Sequence, residues 1–170
     1  AHKGTMGTAL IIAGSYGMAG ASILATRSCL RSGAGKVTTL TPRRNYDILQ
    51  MAVPEAILQI DNEDHYFSDS VDTDDIDALG IGPGIGQQEN TAIALISQLS
   101  RSQCPIVVDA DALNILASHR AWMQQLPKDI IMTPHPKGLD RLAGVPCNGC
   151  YEQLHKTQEL AQNLHAYIIL

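Results

Sequence analysis

Apolar residues in this chain come in short blocks, and most blocks are followed by a longer stretch in which apolar positions recur every three or four residues. The blocks at residues 8–13, 36–40, 57–60, 78–81, 106–109 and 129–132 predict strands. Residues 21–32, 45–51, 91–100 and 112–117 combine helical spacing with good helix formers, and 151–164 predicts one more helix. Positions 79–81 and 106–108 are apolar without alternation, the pattern of parallel strands covered on both faces. Alternating units of this kind predict an α/β fold: a doubly wound, mostly parallel sheet flanked by helices, with ligands at the carboxyl ends of the strands. Tyr167-Ile-Ile-Leu170 opens a further apolar segment where the sequence stops. Domains rarely end on a bare buried strand. Residues 1–170 are therefore expected to be the N-terminal and central part of a single domain that continues past Leu170.

Composition narrows the function classes. Apolar residues make up 45% of the 170 but aromatics only 4%, so the core has to be built from Ala, Ile, Leu and Val. The formal charge is −5, and Lys and Arg are scattered singly apart from Arg43-Arg44, which argues against a broad nucleic-acid-binding face. No apolar run approaches the ~20 residues of a membrane span, and no signal peptide is legible, so a cytoplasmic location is the expectation. Eight of the 17 acidic residues fall in positions 61–77, read as a solvated loop rather than a calcium site because the spaced ligands and obligatory glycine are missing. Cys147 and Cys150 have the spacing of a metal knuckle or redox pair, with His155 downstream. Zinc would need a second ligand pair, and none exists, so reduced thiols in a turn are the favoured reading.

Candidate chemistry sits just after the predicted strands. Gly14-Ser-Tyr-Gly17-Met-Ala-Gly20 links the first strand to a small-residue helix, so a ligand can approach backbone N–H groups and the positive end of a helix dipole. Gly80-Ile-Gly82-Pro-Gly84-Ile-Gly86 is not a dinucleotide fingerprint, since Gln87 stands where a third glycine is required, and Gly35-Lys36 is not a phosphate loop of the Walker type, since Val37 follows it and Leu30 takes the leading glycine position. Four alternating glycines exceed what a plain turn needs and favour a ligand contact, with a side chain at Gly84 expected to intrude on that ligand. Ile106-Val-Val-Asp109-Ala-Asp111-Ala-Leu-Asn114 delivers two carboxylates and an amide from a buried strand into the first turn of a helix. Such a trio can orient a water, hold Mg²⁺ on phosphates or bind hydroxyls, whereas helix capping would need only one of them. In Thr133-Pro-His135-Pro, prolines on both sides are expected to hold His135 in a rigid, extended loop that presents the imidazole.

These clusters, in this order, resemble the ADP/ATP-dependent NAD(P)H-hydrate dehydratase family, whose fold is ribokinase-like. The matching stretches are HKGTMGTALIIAGSYGMAGA, LRSGAG, GIGPGIG, VVDADALNIL and TPHP, spread over nearly the whole chain. The resemblance implies repair of a damaged cofactor. ADP or ATP, with Mg²⁺, phosphorylates the ring hydroxyl of hydrated NADH or NADPH, and loss of phosphate restores the reduced dinucleotide. Carried over residue by residue, it makes Gly20, Ala21, Gly84 and His135 contacts for the hydrated dinucleotide, and Asp109, Asp111 and Asn114 the rim facing phosphates and metal. It also implies a homo-oligomer and, in many members, an epimerase domain fused upstream. Two departures matter. Lys137 and Gly138 follow TPHP where the family commonly has an acid, and the family's lysine-glycine segment and reactive aspartate would lie beyond Leu170. The alternatives are a small-molecule kinase of the same fold and a non-catalytic nucleotide-binding fragment.

Overall fold

The computed structural model describes residues 7–143 and 149–169. Cys147, the HKGTM segment up to Met6, and Leu170 lie outside the described residues. Strands β1 (Thr8–Ile12), β2 (Lys36–Thr41), β3 (Ile57–Ile60), β4 (Ala78–Ile81), β5 (Ile106–Val108), β6 (Ile131–Met132) and β7 (Tyr167–Ile168) form one parallel sheet in the order β3-β2-β1-β4-β5-β6-β7. The helices are α1 (Ala19–Arg31), α2 (Tyr46–Ala52), α3 (Glu89–Arg101), α4 (Asp111–Ser118), α5 (Pro136–Ala143) and α6 (Cys150–Leu164). The doubly wound arrangement expected from the apolar pattern is present, and the chain reverses its direction of winding between β1 and β4.

Because side chains alternate along a strand, the register sorts the sheet into two faces. Leu10, Ile12, Leu79, Ile81, Ile106, Val108 and Met132 share the larger core with Leu95 and Leu99 of α3, Ile115 and Leu116 of α4, Leu142 of α5 and Leu164 of α6. On the other face Ile11, Ala13 and Val37 pack beneath Ala25, Cys29 and Leu30, and Leu49 of α2 packs with Ile23 and Leu58. α1 and α2 thus cover β1 to β3, while the later helices all lie opposite. Among the described residues, the apolar clusters on this second face lie over β1 to β3. The register aligns Val107, Ile131 and Tyr167 across β5 to β7, and Val107 and Tyr167 are 38% and 60% exposed.

Other differences have local causes. Asp129 takes a left-handed φ of 65° and donates its N–H to the His165 carbonyl at 2.7 Å, so β6 begins later than the pattern suggested. The acidic stretch is not simply solvated. The buried Asp61 carboxylate accepts the N–H groups of Glu63 at 2.9 Å and Ser68 at 3.0 Å, and Phe67 reaches the larger core. Helix α5 was not anticipated, because Pro, Lys and Gly in its first turn mask the pattern; Pro136 occupies the first helical position, where a missing N–H costs nothing. Burial pushes the Cys29 and Cys104 thiols above their usual range, so both are protonated at neutral pH.

Candidate functional site

The loops after β1, β4, β5 and β6 meet at one end of the sheet. Those after β1 and β4 are laced together. Gly14 N–H donates to the Pro83 carbonyl at 2.7 Å, Gly82 N–H to Ile12 at 3.0 Å, and Ser15 Oγ to Gly84 at 2.8 Å. Asn45 closes the arrangement by donating its amide to the Ser15 carbonyl at 2.8 Å. Gly84 is buried within this contact at φ 69°, and a Cβ there would come within 2.6 Å of the Ala21 Cβ. The glycine is thus required for loop and helix to approach, which corrects the expectation that a side chain at Gly84 would strike the ligand alone. Gly20 and Ala21 also shift in meaning: they belong to the first turn of α1 rather than to a turn before it. Gly20 is exposed, with open space where a Cβ would project. No side chain caps α1, and the Ala21 N–H closes a backbone turn by donating to the Met18 carbonyl at 3.2 Å, so donors for a ligand come from the other N–H groups of the first turn.

After β5 the chain turns on Ala110, at φ 51° and ψ −123°, into α4. This left-handed elbow is unfavourable for a residue with a Cβ. It is fitted to the loop beside it, because a Cβ on Gly82 would overlap the Asp109 carbonyl oxygen. The elbow in this position requires glycine at 82. The elbow sends Asp109 and Asp111 in different directions. Asp109 lines a cleft of about 200 Å³ with Asn114, His135, Lys137 and Arg141, floored by Leu113 and Pro134. Asp111 turns toward the glycine loop: its Oδ2 accepts the Gly86 N–H at 2.9 Å, and its Oδ1 accepts the Asn114 amide at 3.4 Å. The Asn114 Oδ1 accepts in turn from Arg141 Nη1 at 3.0 Å.

His135 sits just before α5 rather than within an extended loop. Its carbonyl accepts the Leu139 N–H at 2.9 Å while the residue as a whole stays exposed. The structure thus gathers Asp109, Asn114 and His135 into one cleft, sets Asp111 behind it, and buries Gly84 between α1 and the loop after β4. Sequence reasoning missed Arg141. The signal was its spacing of four from Lys137, which becomes meaningful only once residues 136–143 are known to be helical. Among the described residues, no three carboxylate, imidazole or thiol groups converge as a metal site. Asp109 lines this cleft and also the apolar pocket formed with Ile11, Ala25 and Val107, and a single carboxylate there fits an ion held mainly by a ligand's phosphates rather than by a cage of side chains.

Comparison with known proteins agrees with this architecture. The family profile described as NAD(P)H-hydrate dehydratase matches residues 9–170. The ADP-dependent (S)-NAD(P)H-hydrate dehydratase of Streptococcus thermophilus is 36% identical over 172 residues, covering 99% of this chain and 60% of the relative. A ribokinase-like superfamily protein from Enterococcus faecalis superposes with a TM-score of 0.84 at 26% identity, over 100% of this chain and 59% of that one. The ADP/ATP-dependent NAD(P)H-hydrate dehydratase of Bacillus subtilis, co-crystallised with ATP and Mg²⁺, gives a TM-score of 0.79 at 33% identity with the same coverage. The chain therefore spans about 60% of the length of the curated relative.

Proposed function

We propose a function from one premise, that this chain belongs to the NAD(P)H-hydrate dehydratase family. The whole protein then uses ADP or ATP to phosphorylate the hydroxyl of the hydrated nicotinamide ring, and departure of phosphate restores NADH or NADPH. Transfer to a ring hydroxyl depends on positioning and on donors for the charge that develops on phosphate. Backbone N–H groups at helix starts supply such donors without a basic surface, which suits a chain of net charge −5.

In this reading Gly20 and Ala21 offer the first turn of α1 to the hydrated dinucleotide, Gly84 fixes the loop against which it lies, and His135 touches it from the mouth of the cleft. Asp109, Asp111 and Asn114 form the polar rim toward the phosphates, with Asp109 the group available to Mg²⁺. Bound there, Mg²⁺ would neutralise charge on the phosphates. The reactive aspartate is expected from a segment beyond Leu170. The homo-oligomer rests on the family resemblance and the cytoplasmic location on the sequence, which shows no legible signal peptide; no helix among the described residues is long and apolar enough to cross a membrane.

The observation that carries the proposal is the convergence of Asp109, Asn114 and His135 on one cleft at the carboxyl ends of β5 and β6. His135 is exposed and outside the hydrogen-bonded framework of the loops, so it is suited to binding rather than to proton transfer. In the full-length protein His135→Ala should raise KM for the hydrated dinucleotide about tenfold while kcat changes less. An unchanged KM would remove His135 from the substrate site.

A further inference from the structure

Arg141 ends a chain of hydrogen bonds that runs from α5 through α4 to the loop after β4. Its Nη1 donates to Asn114 Oδ1 at 3.0 Å, Asn114 Nδ2 donates to Asp111 Oδ1 at 3.4 Å, and Asp111 Oδ2 accepts the Gly86 N–H at 2.9 Å. The backbone beneath Arg141 is itself held, since Arg120 Nη1 donates to the carbonyls of Arg141 and Leu142, each at 3.0 Å. We propose that Arg141 is a positioning residue of the cleft, which orients the Asn114 amide, keeps the Asp111 carboxylate on the Gly86 N–H, and so fixes the glycine loop beside the ligand. The proposal rests on the dehydratase reading for its catalytic consequence, though not for its geometry.

The physical argument lies in the asymmetry of the amide. A guanidinium only donates, so it demands the oxygen of Asn114, and a carboxylate only accepts, so it demands the nitrogen. With both neighbours present, a single orientation of Asn114 satisfies all three groups. Without Arg141 the amide can turn end for end, which brings its oxygen against the Asp111 carboxylate and pushes that group away from Gly86. The loop after β4 has no slack to absorb the change, since Gly82 and Gly84 already lie against the Asp109 carbonyl and Ala21. The bonds run across the open end of the fold, and Arg141 is exposed, so their loss should alter geometry more than stability.

The test uses the full-length protein with Arg141→Ala, Arg141→Lys, Asn114→Ala and the Arg141→Ala/Asn114→Ala double variant. Two readouts are needed: turnover of hydrated NADH with ADP or ATP and Mg²⁺, and hydrogen exchange at the Gly86 amide. Arg141→Ala should lower kcat/KM by roughly ten- to a hundredfold, the scale of an ångström-sized misplacement. Gly86 exchange should quicken and the melting temperature should barely move. Lys, which keeps a charged donor group on a flexible stem but loses the planar fork, should restore part of the loss. Arg141→Ala should add little in the Asn114→Ala background, because the two act through one path. Multiplying effects of the two substitutions, or unchanged Gly86 exchange in Arg141→Ala, would overturn the relay. If the unaltered protein does not turn over the hydrate, the dehydratase reading fails, and Gly86 exchange still decides the relay.

Discussion

Ala110 carries the sharpest turn of the site at φ 51°, where an L residue with a Cβ is strained by about 1–3 kcal/mol. Glycine relieves that strain but gives back about 0.5–1 kcal/mol in backbone entropy. Ala110→Gly should therefore stabilise the fold by roughly 1 kcal/mol in a denaturant titration. A destabilisation of that size would mean the elbow is not strained. The neighbouring glycines show how far single residues could be read from sequence. Alternation of glycine through positions 80–86 was enough to mark a loop of unusual closeness, but not to say what comes close. At Gly84 the neighbour is the Cβ of Ala21, and at Gly82 it is the carbonyl of Asp109, both of them far away along the chain. The two carboxylates of the β5–α4 segment were equally visible, yet only the structure separates Asp109 in the cleft from Asp111 behind it.

Helix α1 is held to the sheet by a buried polar contact as well as by its small side chains. Thr26 Oγ1 and Thr39 Oγ1 lie 2.7 Å apart, both residues fully buried, joining the helix to β2. Thr26→Val alone strands the Thr39 hydroxyl and should cost about 1–3 kcal/mol. Thr26→Val with Thr39→Val removes both ends of the bond and should recover most of that loss, which a double-mutant cycle by thermal unfolding would reveal. Additive losses would show the hydroxyls to be independent. Elements were legible where one force dominated. β3 and β4 fall on the residues where the short apolar blocks placed them, and β2 extends by one residue. α5 was illegible because its evidence is tertiary: Leu139 and Leu142 are buried, and the helix packs on α4 and α6, while Pro136, Lys137 and Gly138 read locally as a loop. Missing α5 concealed Arg141 as well.

At the scale of the molecule, the winding reverses between β1 and β4, and the laced glycine loops stand at that reversal, where open α/β sheets place their ligands. Among the described residues, α3 to α6 all pack on one side. The other side of β5 to β7 presents Val107, Tyr167 and, just past β7, Ile169, which is 58% exposed. Residues 1–170 prepared alone should bind an apolar dye through this patch, and Val107→Lys should reduce the signal without unfolding the chain. A preparation that binds no dye would show the face to be covered in some other way. Fold class was legible at this scale because alternating βα units admit few arrangements, whereas the open face could not be read from strands whose composition suits burial on both sides.

One reaction tests the proposed cofactor repair most directly. The full-length protein is incubated with hydrated NADH, Mg²⁺, and ADP or ATP, while the near-ultraviolet absorbance of the reduced nicotinamide ring and the release of inorganic phosphate are followed together. Absorbance should return in step with phosphate, one for one, and neither should change without the nucleotide. Accumulation of a stable phosphorylated dinucleotide, or nucleotide-dependent phosphate release with no return of absorbance, would contradict the proposed repair.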